Sequence, residues 1–364
     1  MSQDKMENPI APRSTRDRRV PAMIISGAVA AVLAIAAVTV PVPYVVESPG
    51  PAINTIGKIG DDPIITISGH ESFPATSGAL DLTTVRLAGG LPGNSISFFG
   101  ALRSWLTPSH TIYPAELIYA PGVSQDVVNS ENSAAMTGSQ ENATAAAMTA
   151  LGIEFKSSLA VASVPEDGAA SGILKPDDVL LALGGKPVTD LSGIQAVLAS
   201  GRGAQVDVTV RRKSVEETFS LTPRLGEEGK YLLGVALQKT FTFPFDVKIS
   251  LENIGGPSAG LIFALGIMDD LTPGELTGGK HFAGTGTIDP DGKVGAIGGI
   301  AQKMVGARSG GAKYFLAPAD NCQDVVGNVP DGLQVIKAAT LKEAYDAVAV
   351  IASGSDGSAL PTCS

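Results

Sequence analysis

The chain has 364 residues, 44% of them hydrophobic and 17% charged, enough for two or three domains that each bury a core. Its formal net charge is −10 and no basic stripe appears beyond the N-terminus, which argues against nucleic-acid binding and leaves solubility as the plain reading of the acidity. With 43 Gly and 24 Pro, turns and loops should be many.

The first predicted element is apolar. Ala22 to Val40 holds no charged residue, and 19 helical residues span roughly 28 Å, close to the hydrocarbon thickness of a bilayer. Pro41 and Pro43 end it. Ahead of it, Lys5, Arg13, Arg16, Arg18 and Arg19 outnumber Asp4, Glu7 and Asp17. The positive-inside rule therefore assigns residues 1–21 to a cytoplasmic tail, 22–41 to a transmembrane helix and everything after Tyr44 to the outside of the cell membrane. The competing reading is a cleaved signal peptide. Against it stand the length of the apolar run and the lack of a clear A-x-A site.

Beyond a Pro/Gly-rich juxtamembrane stretch, strands are expected near Ile64–Ile67 and Gly78–Leu87, and an Ala-rich helix over Asn132–Ala150, stopped by Leu151-Gly152. From about 151 to 225 the pattern changes to strand, glycine-rich turn, strand, amphipathic helix (LSGIQAVLAS) and two strands. From about 226 to 352 strands and helices alternate, as in an α/β or α+β domain, and a tail of residues 353–364 follows. The fold class is α+β. Cys322 and Cys363 suit an oxidising compartment as a disulfide tying that tail to the last domain; two unpaired thiols are the alternative. With no C-x-x-C and no His/Cys cluster, no metal and no cofactor are called for.

Two segments carry chemistry. Gly255-Gly256-Pro257-Ser258-Ala259-Gly260 places a serine in a Gly-rich turn at a helix start, with the helix expected over Pro257–Met268. Small neighbours admit a substrate backbone, and free N–H groups of Ser258 and Ala259 suit an oxyanion. A plain N-cap serine is the competing explanation. A serine nucleophile needs a base. His70, His110 and His281 lie in no recognisable triad motif, and a buried lysine is the alternative. Lys280 and Lys293 sit in glycine-rich loops, whereas Lys303 lies between Ile300 and Met304 near the apolar face of a helix, where snorkelling is the ordinary explanation. Gly274 to Lys280 fits G-x-x-x-x-G-K, but His281 follows where a phosphate loop needs Ser or Thr, so the match reads as chance.

The 151–225 stretch resembles a PDZ domain of the bacterial, permuted kind, on Gly168, Ala169, Ala170, Gly172, Leu174, Pro176, Asp178, Val179, Leu180, Gly185 and Val188. Asp177 departs from the family's usual Gly. The resemblance implies capture of an extended peptide as an added strand, with Leu151, Gly152, Ile153 and Phe155 resembling the loop that receives its carboxylate. Residues 226–352 resemble the proteolytic domain of the Lon family, peptidases with a Ser-Lys dyad. Gly256-Pro257-Ser258-Ala259-Gly260, Thr285-Gly286-Thr287-Ile288, Val294 to Lys303 and Phe315 to Asn321 match the family's blocks in order, and 45 residues separate Ser258 from Lys303. Gly255 stands where the family has Asp.

That resemblance implies a nucleophile at Ser258, a base at Lys303 and Thr285 beside the pair. It suggests that the 42–150 region lends a strand and a helix to a discontinuous protease domain around the PDZ insertion. No ATPase segment is present, so peptide cleavage without ATP is expected. The implied partners are polypeptide substrates and the membrane, not nucleic acid, with room left for a homo-oligomer. A non-catalytic PDZ scaffold for exported polypeptides is the rival function.

Overall fold

The structure, a computed structural model, describes residues 19–226, 228–251 and 254–363. The charges expected to orient the anchor, as far as Arg18, lie outside the described residues. The chain divides into two units.

One unit comprises the described residues up to Ser48 together with Arg86–Gln125. It opens with a helix, Arg19–Thr39, whose Val20–Thr39 stretch has a mean hydropathy of 2.4 and is long and apolar enough to cross a membrane. Pro41–Val42 then pairs antiparallel with Ile96–Ser97, and Tyr44–Glu47 with Thr111–Pro114. A short helix, Phe98–Trp105, lies between Ile96–Ser97 and Thr111–Pro114.

The other unit comprises Pro49–Val85 and Asp126–Ser364. Its larger part is a sheet in which Gln334–Ala338, Tyr314–Pro318, His281–Gly284 and the Ala79–Gly89 strand run side by side and parallel. Side chains alternate across the sheet. Phe282, Leu316 and Ile336 face a core that takes in the helices Gly260–Leu271 and Leu341–Ala352 and the Met136–Met148 part of the long helix Gln125–Leu151. Ala283, Phe315, Ala317 and Val335 face a second core with the helix Ile300–Ser309. Helices on both faces of the sheet explain why its Phe315-Leu316-Ala317 segment reads as an unbroken apolar run. All twelve residues of Gly260–Leu271 are buried, so it is a central helix and not an amphipathic surface one. It starts three residues later than the sequence suggests and ends at Leu271, because Pro257, Ser258 and Ala259 form a turn. Gly152, at φ +70°, closes the long helix as a left-handed C-terminal residue.

The smaller part has its own core of Leu159, Val161, Leu174, Leu180, Leu198 and Val210, among others. Its sheet runs Val215–Leu221, Val206–Arg212, Val179–Leu183, Lys156–Ser163 and finally Ala236–Thr242, with the helix Leu191–Gly201 beside it. The last strand lies beyond the boundary at residue 225 that sequence suggests. Asp178, 1% exposed, bridges the fold: its carboxylate accepts from the Lys175 amide and from both Nε and an Nη of Arg212, at 2.6–2.8 Å. Burial pushes the Asp178 carboxyl up, but the Arg212 hydrogen bond and charge outweigh it and hold the group below the usual range.

Candidate active site and peptide groove

Ser258 and Lys303 come from opposite faces of the parallel sheet and meet at its carboxyl end, where open α/β sheets form their sites. Ser258 precedes the helix that packs on one face; Lys303 lies in the first turns of the helix that packs on the other. Thr285 directly follows the strand His281–Gly284 that runs between them.

Lys303 Nζ lies 2.8 Å from Ser258 Oγ and donates to Thr285 Oγ1 at 3.0 Å. The Thr285 hydroxyl donates in turn to the Ser258 carbonyl at 3.0 Å, and the Gly286 amide donates to the same carbonyl at 2.8 Å. Thr285 is fully buried, Lys303 is 3% exposed and Ser258 is half-buried. The serine is therefore open to a substrate while the amine behind it is screened from water. Burial of this kind disfavours a charged amine in general. The N-cap explanation of Ser258 fails: the residue flanking the helix is Ala259, which makes no side-chain cap. The snorkelling explanation of Lys303 fails with it, since the amine points inward to two hydroxyls.

The turn is pinned from the long helix Gln125–Leu151. The Gly256 amide donates to the Asn132 carbonyl at 2.9 Å, and Ser139 Oγ donates to the Pro257 carbonyl at 2.9 Å. A Cβ on Gly255 would stand 2.7 Å from the Asn132 Cβ, so the close approach requires glycine there. Sequence reading missed these supports, since one runs through the Asn132 backbone and the other through a single serine hydroxyl in an Ala-rich helix.

The other candidate bases are elsewhere. His281 Nε2 pairs with Asp81 Oδ2 at 2.7 Å at the opposite end of the strand from Thr285. Burial raises the Asp81 carboxyl, and the His281 hydrogen bond offsets this only in part. His70 lies against the Phe245 ring. Lys280, in the segment resembling a phosphate loop, donates to the Ile351 carbonyl. Among the described residues no group of His, Cys, Asp and Glu is placed to hold a metal ion. Cys322 and Cys363 form a disulfide, with Cα atoms 4.9 Å apart.

Leu151, Gly152, Ile153 and Phe155 do not line the groove beside the helix Leu191–Gly201. Leu151, Ile153 and Phe155 pack on the large core, and Phe155 meets Phe241 and Phe243 with ring centroids 5.8 and 5.5 Å apart. That groove is lined by Leu191, Ile194, Gln195 and Leu198 from the helix and by Leu232, Leu233, Gly234, Val235 and Leu237 facing it. Ala236–Thr242, which continues this second wall, is an edge strand paired on one side only, with Lys156–Ser163. Gly234, at φ +70°, would drive a Cβ to 2.4 Å from the Ala169 amide, so this wall rests directly on the Gly168-Ala169 turn of the sequence motif. The signal sequence reading passed over was the run Leu232-Leu233-Gly234-Val235, an apolar loop with a glycine just ahead of a strand.

Comparison with known families agrees with both parts. Residues 253–352 match the Lon protease (S16) C-terminal proteolytic domain, and residues 128–222 match the PDZ domain. A Lon protease of Mesomycoplasma hyopneumoniae is 31% identical over 162 residues, which cover 40% of this chain and 18% of that protein. Lon protease 1 of Bacillus subtilis is 28% identical over 168 residues, covering 43% and 21% respectively. The chain thus spans about a fifth of the length of these curated relatives. Among solved structures, the PDZ domain of an SdrC-like protein from Listeria innocua is 22% identical, covers 22% of this chain and 92% of its own, and has a TM-score of 0.21. Residues 253–352 are thus similar to a Lon-type (S16) proteolytic domain, and residues 128–222 to a PDZ domain.

Proposed function

We propose that the chain is a membrane-anchored serine endopeptidase that works by a Ser258–Lys303 dyad without ATP and cleaves polypeptides outside the cytoplasm. The observation that carries the reading is the 2.8 Å approach of a buried lysine amine to a half-buried serine hydroxyl at the carboxyl end of a parallel sheet. Lys303, as the free amine, takes the proton of Ser258 Oγ while that oxygen attacks the scissile carbonyl. Backbone N–H groups of Ser258 and Ala259 at the helix start receive the oxyanion. Lys303 then returns the proton to the leaving amine, and water releases the acyl group from Ser258. Thr285 holds the amine on line by accepting from it while anchored to the Ser258 carbonyl.

The groove between Leu191–Gly201 and Ala236–Thr242 recruits substrate. An extended peptide adds to the open edge of Ala236–Thr242, and its apolar side chains enter between Leu198 and Leu237. The Val20–Thr39 helix is the anchor, with the N-terminus cytoplasmic as its basic residues suggest.

Purified full-length Ser258→Ala and Lys303→Ala proteins should each lose peptide cleavage while keeping the parent's melting behaviour, with or without nucleotide. Cleavage at the parent's rate in either variant would refute the dyad. Acylation of the parent by a serine-reactive probe, mapped to Ser258, is the positive readout.

A further inference from the structure

The helix Phe98–Trp105 is built the wrong way round for a surface in water. Ser97 caps it, its Oγ accepting from the Gly100 amide at 3.2 Å, so the helix start is well defined. Its small residues, Gly100, Ala101 and Ser104, are half-buried. Its bulky ones point out: Phe98, Phe99, Leu102, Trp105 and the adjoining Leu106 are 55%, 56%, 40%, 73% and 68% exposed. Positions i, i+1, i+4, i+7 and i+8 fall on one side of a helix, so these five form a single stripe. Arg103 is the one charged residue in the helix and lies off the stripe. A soluble surface helix carries its apolar side chains inward, and a contiguous apolar stripe left outside marks a contact surface.

The location of the stripe identifies its partner. Pro41 pairs with Ser97, so the helix begins opposite the second residue after the membrane-crossing helix ends at Thr39. The two helices touch, and along Val20–Thr39 only Ala36 and Ala37, in the last turn, are not exposed. The stripe therefore sits level with the end of the span, where an apolar phase meets water and where Trp and Phe are favoured.

We propose that the Phe98–Leu106 stripe lies in the lipid headgroup–acyl boundary as a second membrane contact beside the span. The proposal rests on reading Val20–Thr39 as a membrane anchor. Two contacts of different direction restrict the rotation and tilt of this unit, which one helix alone leaves free.

Trp105 is the only tryptophan in the chain and reports directly on the stripe. The full chain, reconstituted in phosphatidylcholine vesicles, should show Trp emission shifted to the blue and protected from acrylamide. Lipids brominated high in the acyl chain should at least halve that emission, and lipids brominated near the chain end should quench less, in line with a depth of roughly 5–10 Å. Phe99→Glu with Leu102→Glu changes two exposed side chains, so it leaves folding intact and should return Trp105 to acrylamide. Floating the vesicles after alkaline extraction tests the anchor by itself. Protein that floats but keeps a water-exposed Trp105 overturns the stripe alone; protein that no longer floats overturns the anchor and the stripe together. Emission protected from acrylamide but indifferent to brominated lipid would mean that a second copy or another protein covers the stripe, and would also overturn the proposal.

Discussion

Thr285→Val separates positioning from chemistry at the proposed dyad. Valine keeps the shape of threonine and removes the hydroxyl, and with it two hydrogen bonds: acceptance from Lys303 Nζ and donation to the Ser258 carbonyl, both at 3.0 Å. The Gly286 amide still holds that carbonyl at 2.8 Å, so the turn should persist and the loss should fall on the direction of the amine. At about 1–1.5 kcal/mol for each bond, the transition state loses about 2–3 kcal/mol. That corresponds to a fall of roughly 30- to 150-fold in kcat/KM. The assay is hydrolysis of a fluorogenic unfolded polypeptide by the reconstituted full chain, alongside the rate of Ser258 acylation by a serine-reactive probe. Both should fall together, because both need the proton removed. Thr285→Ser should restore most of the rate, since it returns the hydroxyl and removes only a methyl group. If Thr285→Val keeps a rate near the parent's, or if serine fails to rescue, Thr285 does not position the lysine.

Three further outcomes follow from groups outside the dyad. Burial first, and the Asp269 carboxylate second, push the Asp270 carboxyl up to about 6. A carboxyl whose folded pKa exceeds its unfolded value penalises the fold when ionised, so stability should rise as pH falls from about 6 towards 4. Asp270→Asn should flatten that rise and stabilise the protein at pH 8 by at most about 3 kcal/mol before solvent screening; denaturant melts at both pH values check it. Opening the Cys322–Cys363 bridge by a Cys363→Ser change frees a loop with a sequence separation of 41, and the chain-entropy estimate gives a loss of about 4 kcal/mol, read as a lower melting temperature that reductant no longer alters. Asp177 holds φ +69°, the left-handed region where the PDZ pattern has glycine. Asp177→Gly should therefore stabilise by about 0.5–1 kcal/mol, and a destabilised variant would show that the Asp side chain itself is needed.

The approach of Lys303 to Ser258 was legible because both residues sit in contiguous blocks. Gly256-Pro257-Ser258-Ala259-Gly260 and the Val294–Lys303 run each encode a turn into a helix, and the two helices pack on opposite faces of the parallel sheet. The Ala79–Gly89 strand and the Gln125–Leu151 helix from Asn132 onward were legible as elements, but not the helix's first seven residues nor the contacts of either. Nothing local in Asn132 or Ser139 says that each will hold a turn more than a hundred positions later in the chain. The helix start was misplaced because Pro257 fits a first helical turn as well as it fits the serine turn.

The peptide groove turns on a different feature, for which the 151–155 loop and the groove proposed above are the two candidates. Gly152 and Gly234 both take φ +70° and both stand between apolar residues at the end of one element, ahead of a strand. Local chemistry cannot choose between them. The choice is made by what each glycine leans on. Gly152 closes a helix and sends Ile153 and Phe155 to the large core. Gly234 lies against Gly168-Ala169, across from the helix Leu191–Gly201, and so forms the end of a groove with a free strand edge. Sheet order favours the second, since Lys156–Ser163, the strand after Gly152, is paired on both sides, whereas Ala236–Thr242 has an open edge. Leu237→Asp should accordingly abolish peptide capture while leaving Ser258 acylation by a small probe intact, whereas a polar change at Ile153 should act on stability. Equal loss of peptide capture from both, at unchanged stability, would return the groove to the earlier loop.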